Sequence, residues 1–303
     1  PMDIATLSTV KEGSKIDIRA MITDKKTLLK TNKESYLSLD IQDATGKINF
    51  PIWDNIATLD SALEVGTLVD IADAILGSWN GAIQLKNPRF HVLTEEELET
   101  VDINQFIPSY NIPPELIDYM EQTITNMDEP YKTIATCATG ALGYNTQRWK
   151  AFTECVAAEK HHGNKRGGLF LHTYGVLINS ESVINAYVTK PFFCDAKEVI
   201  NPSRLRLKAI LHDIKKVDEY EYQTNIRRKP GRPLGHIYDG VSYLSEINKE
   251  AGYVLSKEEE NDIAWSILTH HGQYGPANPE TLEEWILHLS DMIDSRVVGS
   301  VEK

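Results

Sequence analysis

The sequence predicts a multidomain β + α protein, with a small N-terminal β-barrel followed by an all-α helical bundle. Two patterns predict it. Apolar residues recur at every second position through much of residues 1–93, the period of half-buried strands. From Pro114 onward they recur every three or four positions, the period of helices. The length agrees, because 303 residues suit two ordinary domains of roughly 100–200 residues each.

The strands come first. Ile16–Ile22 alternates apolar and polar side chains, as does Tyr36–Ile41. A turn at Asp43-Ala44-Thr45-Gly46 leads into a third alternating run, Lys47–Trp53. A short helix is expected over Asn55–Leu63, and Gly66–Ala72 reads as a fourth strand. Asn80-Gly81 is a two-residue hairpin signal and introduces the fifth, Ala82–Leu85. Five short strands with a helix before the fourth suggest a barrel of the OB type over residues 1–93.

Residues 94–113 read as a linker, acidic at Glu95-Glu96-Glu97 and punctuated by Pro108, Pro113 and Pro114. Residues 114–303 read as helical. Leu116, Met120 and Ile124 share one helix face, and Trp149, Phe152 and Val156 form a second stripe. Helical spacing also marks 171–188, 204–213, 236–249, 257–271 and 281–295. The basic segment 226–233, Ile-Arg-Arg-Lys-Pro-Gly-Arg-Pro, is the most loop-like in this half.

Composition bounds the function classes. Hydrophobic residues make up 41% and charged residues 25%, as in a soluble globular protein. Three scattered cysteines with no CxxC pair argue against a disulfide framework or a cysteine zinc site, and fit a reducing cytoplasm. No apolar run reaches 18 residues, and no basic-then-apolar leader is visible, so no membrane association is expected. The net charge of −13 disfavours a broad basic nucleic-acid face. Local basic patches remain at Lys25-Lys26, Lys165-Arg166 and Arg227-Arg228-Lys229.

The chemistry is concentrated in the second half. Of nine histidines, eight lie between residues 161 and 288. His212-Asp213 ends the apolar run Leu205–Leu211, His270-His271 closes another, and Asp291 follows a third. Adjacent helical residues point about 100° apart, so a His-Asp pair can direct its imidazole to one ion and its carboxylate toward a second. Donors drawn from several helices are how bundle cores hold metals. An imidazole–carboxylate set without thiolates suits Mn, Fe, Co, Ni or Zn and disfavours a closed structural zinc site. Two such ions about 3.5–4 Å apart would activate water and neutralise charge on a phosphoryl group. A lone His-Asp dipeptide is common by chance; the ordered set is far more specific.

That order, His172 … His212-Asp213 … His236 … His270-His271 … Asp291, resembles the HD-domain phosphohydrolase superfamily. The local words Gly167-Gly168-Leu169-Phe170-Leu171-His172, Leu211-His212-Asp213-Ile214-Lys215-Lys216, Gly235-His236 and Thr269-His270-His271-Gly272 resemble the YhaM-type 3′-to-5′ exoribonucleases. So do His161-His162, Tyr36-Leu37-Ser38-Leu39 and Ile83-Gln84-Leu85. Those proteins place an OB-fold before an HD domain. The resemblance implies two divalent ions, manganese being the expected metal. His172, His212, Asp213 and Asp291 would hold one, and Asp213 would bridge to a second held by His236, His270 and His271. Lys216 would act with Asp213 at the scissile phosphate or the attacking water. His161 and His162 would either contact substrate phosphate or serve structure, and Lys165, Arg166 and Lys215 are further candidates for substrate contact. One position departs from the family word His-Asp-x-Gly-Lys, because Lys215 stands where glycine is usual.

On the barrel, Tyr36, Trp53 and Trp79 are candidate stacking residues for single-stranded RNA or DNA. Phe50 shares the alternation phase of Ile48 and Ile52 and is expected in the core. The alternative use of barrel edges is assembly into a homo-oligomer. The leading functional expectation is a metal-dependent 3′-to-5′ exonuclease of single-stranded RNA, with DNA also considered, releasing nucleoside monophosphates. The alternatives are an HD-type hydrolase of nucleotides or cyclic nucleotides, and a non-catalytic nucleic-acid-binding module.

Overall fold

The computed structural model describes residues 1–29, 34–159, 163–191, 194–223, 227–229, 231 and 234–301, and within them the two sequence patterns fold separately. Contacts divide the chain into a unit of Pro1–Ser109 and a unit of Tyr110–Tyr222 with Ile226–Lys303. His161 and His162 lie outside the described residues, as do Lys30 and Lys33.

In the first unit the alternating runs become β1 (Lys15–Leu29), β2 (Ser35–Asp43) and β3 (Gly46–Ile52). Helix α1 (Ile56–Ala62) precedes β4 (Leu68–Trp79), β5 (Ala82–Lys86) and β6 (Arg89–Val92). The ladders are antiparallel in the order β3-β2-β1-β4-β5, and β3 also lies beside β5, so the sheet curls into a nearly closed barrel. Three strands, a helix, then two strands is the order of an OB-type barrel. Asn80 and Gly81 both take positive φ, as a tight hairpin between β4 and β5 requires. The buried alternate positions, among them Ile18, Ala20, Leu39, Ile41 and Phe50, fill the barrel.

Three details differ from the sequence reading. The barrel has a sixth strand, β6, paired with β4. Its four residues follow Pro88 and are too few to show a period. Strand β1 continues past Ile22 to Leu29 because a bulge between Ile22 and Asp24 shifts its register, hiding the continuation in the alternation. The 94–113 stretch carries a short helix, α2 (Glu95–Leu98), started by a capping box between Thr94 and Glu97.

The second unit is helical: α3 (Pro114–Thr125), α4 (Tyr131–Thr139), α5 (Thr146–Glu154), α6 (Gly168–Ile184) and α7 (Pro202–Leu211). After the short α8 (Lys216–Glu219) and the ribbon β7 (Tyr220–Glu221) and β8 (Arg227–Arg228) come α9 (His236–Glu250), α10 (Lys257–Thr269) and α11 (Leu282–Val301). Side-chain caps from Asn145, Asn201 and Ser256 fix the starts of α5, α7 and α10. Helix α5 ends at Glu154, so Val156 is buried beyond the helix rather than on its stripe. Helix α6 is central, packing against α5, α7 and α11. A Cβ on Gly168 would lie 2.1 Å from the Gly163 carbonyl oxygen, so the double glycine lets that loop close over the start of α6.

Candidate metal centre

Helix ends build the site. His212 and His270 cap the C-termini of α7 and α10, where backbone carbonyls lack helical partners. His212 Nδ1 donates to the Ala209 carbonyl at 2.8 Å, and His270 Nδ1 to that of Ile267 at 2.6 Å. His236 opens α9, and its Nδ1 donates to Glu219 at 2.5 Å. On α6, His172 Nδ1 donates to Asp294 at 2.7 Å. With Nδ1 engaged, each of the four rings directs its Nε2 inward, where the neutral ring offers a lone pair to a metal.

The inward atoms meet at Asp213, whose two oxygens face different groups. Oδ2 lies 3.4 Å from both His172 Nε2 and His212 Nε2. His172 Nε2 is also 3.2 Å from Asp291 Oδ1 and 3.2 Å from His212 Nε2. Oδ1 lies 3.2 Å from His236 Nε2 and 3.6 Å from His270 Nε2. The donors therefore form two sets, His172–His212–Asp291 and Asp213–His236–His270–His271, each within 4.8 Å internally. Asp213 Oδ1, His236 Nε2 and His270 Nε2 are buried with no hydrogen-bond partner among the described residues. Buried polar atoms are rarely left so. A divalent cation would satisfy all three, and the imidazole–carboxylate chemistry of both sets fits one.

The electrostatics agree. Burial opposes charge on Asp213, yet Lys216 and the surrounding histidines hold its carboxyl well below the usual range. Burial likewise opposes charge on Lys216, and Asp213 holds its pKa above the usual lysine value, with Nζ 2.6 Å from Oδ2. Burial lowers the pKa of His270 and, helped by His270, that of His271 to about 3, so both are neutral and able to ligate. Burial opposes a charge on His172, but the surrounding Asp213, Asp291 and Asp294 raise its pKa, so a cation is favoured at this spot.

The structure thus brings together His172, His212, Asp213, Lys216, His236, His270, His271 and Asp291. Lys215 is placed differently: its ammonium pairs with Asp218 and lies 4.4 Å from the Tyr243 ring centroid. Its φ of −83° is one any residue adopts, so glycine is not required there. Arg166 donates to Glu154 at 2.7 Å, while the exposed Lys165 sits over Tyr110. In the barrel, Tyr36 and Trp53 are neighbours with centroids 5.0 Å apart, and Trp53 and Trp79 are exposed.

Three partners escaped the sequence reading. Asp294 orients His172, Glu219 orients His236, and His288 Nδ1 donates to the His270 carbonyl at 2.6 Å. Asp294 had a signal, standing one turn after Asp291 on the same helix face. Glu219 and His288 had none in spacing alone.

The HD domain family model matches residues 169–296, the part of this helical unit that carries the histidine–aspartate centre. The chain is also similar to 3′-5′ exoribonuclease YhaM of Shouchella clausii, strain KSM-K16. Identity is 28% over 291 residues, covering 94% of this chain and 85% of that protein. The YhaM-type resemblance and the order of OB-type barrel and HD domain expected from the sequence both hold. Among solved structures, the p204 HINb domain is 18% identical with a TM-score of 0.26, covering 30% of this chain and 46% of that one. The OB domain of MM0293 from Methanosarcina mazei is 27% identical with a TM-score of 0.23, covering 28% and 78%. The HD domain and the exoribonuclease relative support a hydrolase acting on phosphodiester bonds.

Proposed function

We propose that the protein is a metal-dependent 3′-to-5′ exonuclease of single-stranded RNA, with DNA as a second substrate to test, releasing nucleoside monophosphates. The observation that carries this reading is the division of Asp213, with one oxygen facing each donor set. His172, His212, Asp213 and Asp291 would hold one divalent ion, manganese being the expected metal, and Asp213, His236, His270 and His271 a second. Ions bound there supply an activated water and neutralise charge on the phosphoryl oxygens. Asp294, Glu219 and the carbonyls of Ala209 and Ile267 fix the ring tautomers. Lys216 keeps its proton and presents positive charge beside Asp213, where a scissile phosphate would develop negative charge.

Residues 1–93 would bind the strand by stacking on Tyr36, Trp53 and Trp79, residues 94–113 would link, and residues 114–303 would cut. No described helix is long and apolar enough to cross a membrane. Cys137, Cys155 and Cys194 are free, which suits the cytoplasm. The small-nucleotide alternative leaned on Lys215 and the loop 226–233; of these, the Lys215 ammonium is engaged by Asp218 and Tyr243.

The test uses 5′-labelled single strands with Mn²⁺. Stepwise shortening from the 3′ end, stopped by chelator and absent in Asp213→Ala, is the expected result. Bound metal without shortening, or activity surviving Asp213→Ala, refutes the reading.

A further inference from the structure

A cavity of about 120 Å³ lies against the outer edge of the metal centre. His172 and Asp294 form one wall, Leu171 and Val298 are apolar, and Tyr110 contributes an aromatic ring. Gly163 and Gly168 complete it with bare backbone. His172 is the link: Nε2 faces Asp213 and Asp291, and the same side chain lines the cavity.

We propose that this cavity is a subsite for the terminal nucleobase of the strand, sized for a single ring and so favouring pyrimidines. This rests on the phosphodiesterase reading of the centre. Volume caps the occupant at one ring, since an apolar void of about 150 Å³ accepts a single benzene and this cavity is smaller. A fused purine would project beyond the walls. Chemistry sets the class: apolar side chains and a tyrosine ring take a flat π-system as other single-strand sites do. Lys165, with Nζ 5.4 Å from the Tyr110 centroid, steadies that ring by a cation–π contact.

The direct test is calorimetric titration of the full chain, loaded with Mn²⁺, with uridine 5′-monophosphate, adenosine 5′-monophosphate and ribose 5-phosphate. Uridine monophosphate should bind about tenfold more tightly than ribose 5-phosphate, and more tightly than adenosine monophosphate. Val298→Trp, which fills the cavity, and Tyr110→Ala, which removes its aromatic wall, should erase the first difference. A parallel Mn²⁺ titration of each variant shows whether fold and metal centre persist, and the wild-type comparison decides alone if they do not. Equal binding of uridine monophosphate and ribose 5-phosphate, or discrimination kept in both folded variants, overturns the subsite. Equal binding of the two nucleotides overturns its single-ring size. Strand shortening is scored separately. Discrimination without shortening keeps the subsite and removes the exonuclease reading; shortening without discrimination does the reverse.

Discussion

Asp213 can face two donor sets only because the imidazoles around it are held from behind, so residues that never touch the centre should govern it. Gly175 is such a residue. A Cβ there would lie 1.9 Å from Asp294 Oδ1, so the missing side chain is the space that seats Asp294 against His172. Gly175→Ala should push the carboxylate away, freeing the His172 ring to rotate. We expect metal affinity to fall ten- to a hundredfold, the usual cost of losing a ligand's outer partner. Asp294→Asn should fall in the same range. Metal titration checks both, and unchanged affinity in Gly175→Ala would show that His172 is held some other way. Lys215 gives the opposite expectation. Its backbone is ordinary and its ammonium is spent on Asp218 and Tyr243. Lys215→Gly should leave kcat/KM within about twofold. It should cost roughly 0.5–1 kcal/mol of stability through the lost cation–π contact, read as a slightly lower melting temperature.

At the scale of elements, the site depends on where helices stop. Helices α7 and α10 end at His212 and His270, and their last carbonyls orient those rings. Apolar runs that finish in His-Asp and His-His made this much visible in the sequence. The helix that brings up the far side of the site was also visible, through Asp291. What periodicity could not reveal was packing between helices: Glu219 at the end of α8 reaches His236 at the start of α9, and His288 reaches the His270 carbonyl from α11. The joint between α9 and α10 is of this kind. Glu260 on α10 accepts from Ser245 at 2.6 Å and Asn248 at 2.7 Å on α9. Burial pushes its carboxyl up, but Ser245, Lys257 and Asn248 outweigh burial and hold its pKa at about 2, below the ordinary 4.5. A carboxyl depressed by folding adds stability above its unfolded pKa, and that stability disappears as pH falls through 4.5 toward 2. Glu260→Gln should therefore melt lower than wild type at pH 7, and the gap should close as pH drops through that window. Melting curves between pH 7 and pH 2 check this. A constant gap would mean that Glu260 contributes shape rather than charge.

For the whole molecule, the division into barrel and bundle was legible because the two halves carry different hydrophobic periods. The chemistry of their surfaces was legible only in part. Phe50 was correctly expected in the core and Trp79 at the surface, since alternation phase and turn position decide both. The barrel lysines were less readable, because their charge partners, on a helix, on the same strand or on a neighbouring strand, follow from the fold. Lys25 pairs with Asp60, Lys26 with Asp24 and Lys47 with Asp40. With these three cations paired and a net charge of −13, a strand bound as proposed on this barrel would gain little from phosphate contacts and would be held mainly by stacking. That separates two ways of binding RNA. Each phosphate contact on a single strand adds about 0.7 to the slope of log affinity against log salt. A stacking barrel predicts a slope of about 2 or less for log KM of a long single strand against log salt. It also predicts that Trp53→Ala, which removes one of the paired rings, raises that KM about tenfold at every salt concentration. The KM of a dinucleotide, which fills only the metal site, should rise far less. Steady-state assays across salt on both substrates read all three. A steep slope with Trp53→Ala silent would move strand binding from the barrel aromatics to a basic track elsewhere on the chain.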